Sequence, residues 1–141
     1  MAPSGQVILA DASALVAVLD DSDHNHGRCA ALLRTIPYGD LVTSCAAFAE
    51  AMYLLGRRHG WHGRRAIWEL VERGVLRVAP EPRDWIRLAQ LMGKYRDTPM
   101  ALADAQLMVL ADDLGGPPIF TLDGDFTVYR LRDGSAPMLV P

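Results

Sequence analysis

The stretch VILADAS, residues 7–13, sets four apolar residues directly before an acid. A short apolar run of this kind predicts a buried strand over residues 7–10. After Ser13 the chain is apolar on all sides as far as Leu19, which predicts a helix that packs against several neighbours. This part of the chain therefore predicts a strand, an acid at its carboxyl end, and then a buried helix.

The strand–acid pattern returns late in the chain as IFTLD, residues 119–123. Further strands are predicted at 41–43 and 75–79, with a possible fifth at 138–140. Further helices are predicted at 27–36, from the cap Ser44 to about His59 before Gly60, and at 62–72. Two more are predicted, one after the cap Asp84 and one from Thr98-Pro99 to about Leu114. Strands separated by helices predict βαβ units, a parallel sheet of four to five strands and the α/β fold class. We see no internal repeat and no linker, so one domain is expected over residues 1–141.

The bulk composition restricts the function. The net charge of −3 argues against binding nucleic acid by bulk charge alone, although it leaves room for a local basic patch. Residues 1–6 carry no cation, and Asp11 interrupts the apolar run, so we expect neither a signal peptide nor a membrane span. Cys29 and Cys45 are interpreted as two buried thiols in a reducing compartment, with a disulfide left open. These features predict a cytoplasmic protein.

Asp11 and Asp123 each follow a predicted strand. Ligands of open α/β sheets bind at the carboxyl ends of the strands, which makes both acids candidates. Each also has a structural interpretation, because Asp11 can cap the following helix and Asp-Gly is a frequent turn dipeptide. We expect Ser13 to cap a helix or to orient a metal-bound water. The Thr121 hydroxyl is expected to hold the Asp123 carboxylate or a water.

Two further acids lie on apolar faces of predicted helices. Glu50 has apolar residues three and four positions away on both sides, so we expect it to be shielded from solvent, with an ion pair to Arg57 or to another buried arginine as the alternative. Asp104 interrupts an apolar stripe in the middle of its predicted helix, where Asp has poor helix propensity and few structural roles. Other acids, such as Asp20 and Asp112, are expected on the solvated surface.

Burying an ionised carboxylate is costly unless it is paired, hydrogen-bonded or bound to a metal. We therefore expect Asp11, Glu50, Asp104 and Asp123 to converge on a shared cation. Several carboxylates without a His/Cys cluster favour Mg²⁺ or Mn²⁺ over Zn²⁺. Such an ion typically serves phosphate chemistry, in which it neutralises charge and activates a water.

Four stretches carry a resemblance to a known family: ILADASAL at 8–15, FAEAMYLL at 48–55, MALADA at 100–105 and IFTLDGDF at 119–126. The first stretch is weak alone, but the ordered set of four is specific. Across nearly its whole length, the chain resembles the PIN-domain ribonucleases and, among them, the VapC toxins of bacterial toxin–antitoxin modules.

The resemblance implies a three-layer α/β/α fold with a central parallel sheet. It also implies a Mg²⁺- or Mn²⁺-dependent endoribonuclease that cuts RNA with a metal-activated water, is blocked by a cognate antitoxin and forms a homodimer. The implied acidic pocket consists of Asp11, Glu50, Asp104 and Asp123, with Ser13, Thr121 and Asp125 in support. Asp123 is preferred over Asp125 as the fourth ligand because it directly ends the predicted strand.

Arg57, Arg58, Arg64 and Arg65, near Glu50, are the candidate contacts to RNA phosphates, with a solvated face as the alternative. A phosphoryl-transfer signalling domain is disfavoured. Its receiver form needs a lysine after a late strand, whereas Lys94 ends a helix. Its phosphatase form needs a second acid where Ser13 stands. A catalytically silent PIN-like module that acts only by binding partners stays open.

Overall fold

The computed structural model describes residues 6–141, which contain five short strands and five α-helices. The strands are β1 (Ile8–Ala10), β2 (Leu41–Thr43), β3 (Leu76–Val78), β4 (Ile119–Phe120) and β5 (Leu139–Val140). The helices are α1 (Ala12–Leu19), α2 (His26–Thr35), α3 (Cys45–Glu72), α4 (Trp85–Lys94) and α5 (Leu102–Asp113). The expectation about a signal peptide falls largely on residues 1–5, which lie outside the described residues.

The strands form one sheet in the order β3-β2-β1-β4-β5, and every neighbouring pair is parallel. β2 and β3 lie on one side of β1, and β4 and β5, which come later in the chain, lie on the other side. The strand order therefore reverses between β1 and β4. In open α/β sheets a crevice forms at the carboxyl ends of the strands at such a point.

Successive residues of the central strands enter different hydrophobic cores. Ala10 and Phe120 pack with α1, α2 and much of α3, whereas Leu9 and Ile119 pack with α4 and α5. Side chains alternate between the two faces of a strand, so helices cover both faces of the sheet. The predicted α/β/α arrangement is confirmed.

Helix α3 reverses direction at Gly60, whose backbone is non-helical with φ 61°. The rings of Phe48 and Trp68 lie 5.2 Å apart in an edge-on contact, although twenty residues of straight helix would separate them by about 30 Å. A Cβ atom on Gly63 would lie 2.3 Å from the Leu55 carbonyl oxygen, so the two halves of α3 touch backbone to backbone. The predicted break at Gly60 is thus the bend of a helical hairpin.

The prediction that a helix begins at Thr98-Pro99 is wrong. The backbone N–H groups of Thr98 and Met100 both donate to the carbonyl of Tyr95, at 3.1 Å each, and form a turn after α4. Ala101 has extended backbone angles and is the N-cap of α5, without a side-chain cap. Asp104 therefore lies in the first turn of α5 rather than in mid-helix.

Both cysteine thiols are unpaired, as predicted, but only Cys29 is buried. The prediction that Cys45 is buried is wrong, because it begins α3 on the exposed side of the helix. Within residues 6–141, none of the helices combines the length and apolar character needed to cross a bilayer.

Candidate metal centre

The candidate site lies where β1 and β4 meet. Asp11 directly follows β1 and is 5% exposed. β4 ends at Phe120, two residues earlier than predicted, so Asp123 does not directly end the strand. The hydrogen-bonding ladder stops because Ser13 Oγ accepts the backbone N–H of Leu122, at 2.9 Å, and Thr121 Oγ1 accepts that of Asp123, at 2.9 Å.

Hydrogen bonds hold the Asp11 carboxylate in place. Its Oδ1 accepts the Ser13 hydroxyl at 2.6 Å and the Ala14 backbone N–H at 3.0 Å, and its Oδ2 accepts the Thr121 hydroxyl. Asp11 is therefore the N-cap of α1, the structural role that its sequence position allowed. Burial raises the pKa of Asp11 despite these bonds, and repulsion from Asp123 adds to the rise.

The predicted hydrogen bond from the Thr121 hydroxyl to the Asp123 carboxylate is not present. That hydroxyl instead donates to Asp11 and accepts from the Asp123 backbone. Ser13 likewise donates to Asp11 and accepts from Leu122. These two hydroxyls tie the end of β1 to the end of β4, and they fix Asp11 relative to the loop that carries Asp123.

Three carboxylates form the tightest acidic group among the described residues. Asp104, Asp123 and Asp125 each offer an oxygen, and these oxygens lie within 4.8 Å of one another. Opposite ligands of Mg²⁺ stand about 4 Å apart, so small side-chain movements would bring these oxygens onto one ion. Asp123 and Asp125 thus both lie beside Asp104, and both are candidate ligands of the same ion.

Asp123 also makes the turn that its sequence allowed. Its Oδ1 accepts the backbone N–H of Asp125 at 2.9 Å and caps the short 3-10 helix Gly124–Thr127. This turn places the carboxylate of Asp125 near that of Asp104, as Asp123 also is. The structural and the ligand interpretations of Asp123 are therefore compatible.

Asp104 is the second buried acid of the site. Burial raises its pKa to about 6, and repulsion from Asp123, Asp11 and Glu50 contributes in the same direction. The first turn of a helix favours an anion, which partly offsets the cost of burial. The Tyr129 hydroxyl donates to Asp104 Oδ2 at 2.7 Å and opposes the rise.

Glu50 differs from the prediction. Its side chain is exposed rather than shielded, and Tyr53, one turn along the same face, is 59% exposed. The buried row of α3 runs through Ala47 and Ala51 beside it. Partial burial still raises the pKa of Glu50, and repulsion from Asp11 and Asp123 shows that it borders the site. Glu50 is not part of the group within 4.8 Å, and within residues 6–141 it has no ion pair.

Sequence reasoning missed two supporting residues. Tyr129 is fully buried, and its ring packs edge-on against both Tyr95 and Phe126 at 5.1 Å. Gln106 is buried on α5, and its Oε1 accepts the Ala46 backbone N–H at 3.0 Å, which ties α5 to the start of α3. A polar Gln on the apolar stripe of α5 was the available signal for the second residue.

The four candidate arginines are unequally placed. Arg58 pairs with Asp20 at 2.8 Å, and Arg65 pairs with Glu72. Arg57 donates to the hydroxyl of Tyr53 rather than to Glu50. Arg64 is exposed and has no ion pair with a described residue. Two of the four guanidinium groups are thus already neutralised by the protein's own acids.

Asp20 and Asp112 were wrongly predicted to be solvated. Asp20 is 1% exposed, and hydrogen bonds from the Ser22 hydroxyl and from Arg58 hold its pKa well below its usual range. Asp112 accepts from Arg87 and from the backbone N–H of Arg132. Both acids find partners far away in sequence, which local polarity does not reveal.

The PIN domain family model matches residues 8–131. The chain is 29% identical over 143 residues to Ribonuclease VapC26 of Mycobacterium tuberculosis, an alignment that covers 95% of this chain and 100% of that protein. The fold is similar to that of M. tuberculosis VapC20, described as a sarcin-ricin loop cleaving toxin, with a TM-score of 0.77, 23% identity and coverage of 86% of this chain and 93% of that one. It is also similar to PAE2754 from Pyrobaculum aerophilum, with a TM-score of 0.64, 16% identity and coverage of 97% and 91% respectively.

Proposed function

The chain belongs to the PIN domain family, and on that premise we propose that it is a metal-dependent endoribonuclease that acts as the toxin of a toxin–antitoxin module. One observation carries the chemistry: carboxylates of Asp104, Asp123 and Asp125 gather within 4.8 Å at the strand reversal, beside Asp11. The likeness to Ribonuclease VapC26 supports RNA as the substrate and an antitoxin as the natural partner.

We assign the metal site to Asp104, Asp123 and Asp125, with Asp11 and Glu50 on its border. An all-carboxylate donor set suits a hard cation, which supports Mg²⁺ or Mn²⁺. When bound there, such an ion would neutralise phosphate charge, activate a water and stabilise the leaving oxygen. It would also offset the repulsion from the neighbouring acids, which adds to the effect of burial on the pKa of Asp104.

The remaining residues have positioning roles in this proposal. Ser13 and Thr121 orient Asp11, and Tyr129 orients Asp104. Gln106 fixes the start of α3, the helix that carries Glu50. Each of these bonds fixes a carboxylate, or the helix that bears one, before any ligand arrives.

We extend the proposal to a homodimer in a reducing cytoplasm. Unpaired thiols at Cys29 and Cys45 support the reducing compartment. Light scattering of the purified protein would measure the mass in solution, and a mass near 15.4 kDa would contradict the dimer.

The activity test uses purified protein, free of antitoxin, with transfer, ribosomal and messenger RNA as separate substrates. We expect cleavage of at least one RNA with Mn²⁺ or Mg²⁺, and none with a chelator. Asp104→Asn should abolish cleavage. Asp97→Asn makes the same change of charge at an exposed site, so it should leave cleavage intact. A wild type that is inert towards all three RNAs with both metals would instead favour the silent binding module.

A further inference from the structure

A groove of about 280 Å³ lies between α4 and the segment that follows the 3-10 helix. Its charged lining consists of Arg87, Lys94, Arg130, Arg132 and a single acid, Asp112. The groove is therefore strongly cationic, although the chain as a whole has a net charge of −3. This segregation of charge is typical of a surface that attracts an anion.

The acid in the groove is already neutralised. Arg87 binds one oxygen of Asp112, and the backbone N–H of Arg132 donates to the other at 2.8 Å. The exposed side chains of Lys94 and Arg132 have no ion pair with a described residue. The exposed Arg130 guanidinium donates only to backbone carbonyls, those of Thr127 and Tyr129. Three cations thus remain available to a ligand.

The groove is connected to the acidic cluster. The backbone N–H of Arg130 donates to the Tyr95 hydroxyl at 3.0 Å, and the Tyr95 ring packs on Tyr129, whose hydroxyl holds Asp104. Asp104 and Asp112 lie eight residues apart on α5, or about 12 Å along the helix axis. The groove therefore leads away from the cluster along the same helix.

We propose that this groove, rather than the arginines near Glu50, binds the sugar–phosphate backbone of the RNA segment that flanks the cleaved bond. The inference rests on the proposed ribonuclease function. At about 3.4 Å per phosphate of a stacked strand, the distance along α5 corresponds to about three to four nucleotides. Arginine forks and a lysine ammonium suit phosphate oxygens, and contacts of this kind hold RNA without reading its sequence.

The test measures binding of a fluorescent single-stranded RNA of mixed sequence, in a chelator that prevents metal-dependent cleavage, over a series of salt concentrations. We expect the double variant Lys94→Gln/Arg132→Gln to lose affinity on the order of tenfold and to lower the salt slope by about 1.4. The control Arg34→Gln/Arg73→Gln removes two exposed cations outside the groove and should match the wild type. With a cleavable RNA, the groove variant should show a higher KM and an unchanged kcat.

Equal affinity and equal salt slope in the groove variant and the control would overturn the inference. Loss of affinity for polyglutamate, with RNA affinity retained, would assign the groove to an acidic protein partner and would also overturn it. If the wild type cleaves RNA and the groove variant binds RNA as tightly as the wild type, only the RNA-binding role of the groove is refuted. A wild type without metal-dependent cleavage would refute the proposed function itself.

Discussion

At the scale of single residues, two hydroxyls organise the site as much as the acids do. Ser13 and Thr121 each donate to Asp11 and accept a backbone N–H from the loop after β4. Because both partners of each hydroxyl lie in buried or half-buried surroundings, removing one hydroxyl takes a hydrogen-bond partner from two polar groups that water reaches poorly. Such residues hold the geometry without binding the metal.

Thr121→Val keeps the shape of the side chain and removes the hydroxyl. We expect the free energy of unfolding to fall by about 1–3 kcal/mol, because Asp11 and the Asp123 N–H each lose a partner. Urea unfolding measures the change. Thr35→Val is the matched control at an exposed position, and its effect should be much smaller. Equal losses in the two variants would contradict the role assigned to Thr121.

Asp104 makes the stability of the metal-free protein depend on pH. Burial raises its pKa from 3.8 to about 6 in the folded protein. Between these values the folded protein keeps a proton that the unfolded chain has released, so the free energy of unfolding falls as pH rises through this range. In a chelator and above this range, we therefore expect Asp104→Asn to melt at a higher temperature than the wild type.

Below the lower of the two pKa values, the wild type and Asp104→Asn should melt at similar temperatures, because Asp104 is then protonated in both the folded and the unfolded states. Asp97→Asn, at an exposed site, should follow the wild type throughout. A wild type that is the more stable protein at high pH without metal would show that Asp104 is not strained by burial.

At the scale of elements, the hairpin of α3 depends on a close backbone approach. Gly63→Ala would place a Cβ 2.3 Å from the Leu55 carbonyl oxygen and push the two halves apart. We expect a loss of about 1–3 kcal/mol in the free energy of unfolding, as is usual for overpacking. Gly93→Ala on α4 meets no atom within 4 Å, so it should be neutral or stabilising. Chemical denaturation compares them, and equal stability would contradict the hairpin contact.

At the scale of the whole molecule, the parts that could be predicted are those that depend on residues close together in the sequence. The apolar runs identified the strands, and the acids after β1 and β4 followed from that pattern. The start of α5 was missed because the turn at Tyr95 depends on backbone bonds that no periodicity records. The exposure of Glu50 was missed because helical spacing shows which residues share a face but not which face packs on the sheet.

Tertiary partners were the least predictable part of the site. Tyr129 reaches Asp104 from 25 residues away, and Arg58 reaches Asp20 from 38 residues away. Neither pair has a spacing that marks it in the sequence. The cationic groove around Lys94 and Arg132 arises in the same way, from segments that only the fold brings together.

The central claim is that the acids at the strand reversal form one divalent-cation site, and calorimetric titration with Mn²⁺ tests it most directly. The wild type should release or absorb heat on binding, and Asp84→Asn should match it, because an Asn still caps α4 at an exposed position. Asp104→Asn should lose the binding heat. Mn²⁺ binding to Asp104→Asn with the affinity of the wild type, or no binding by the wild type, would contradict the account.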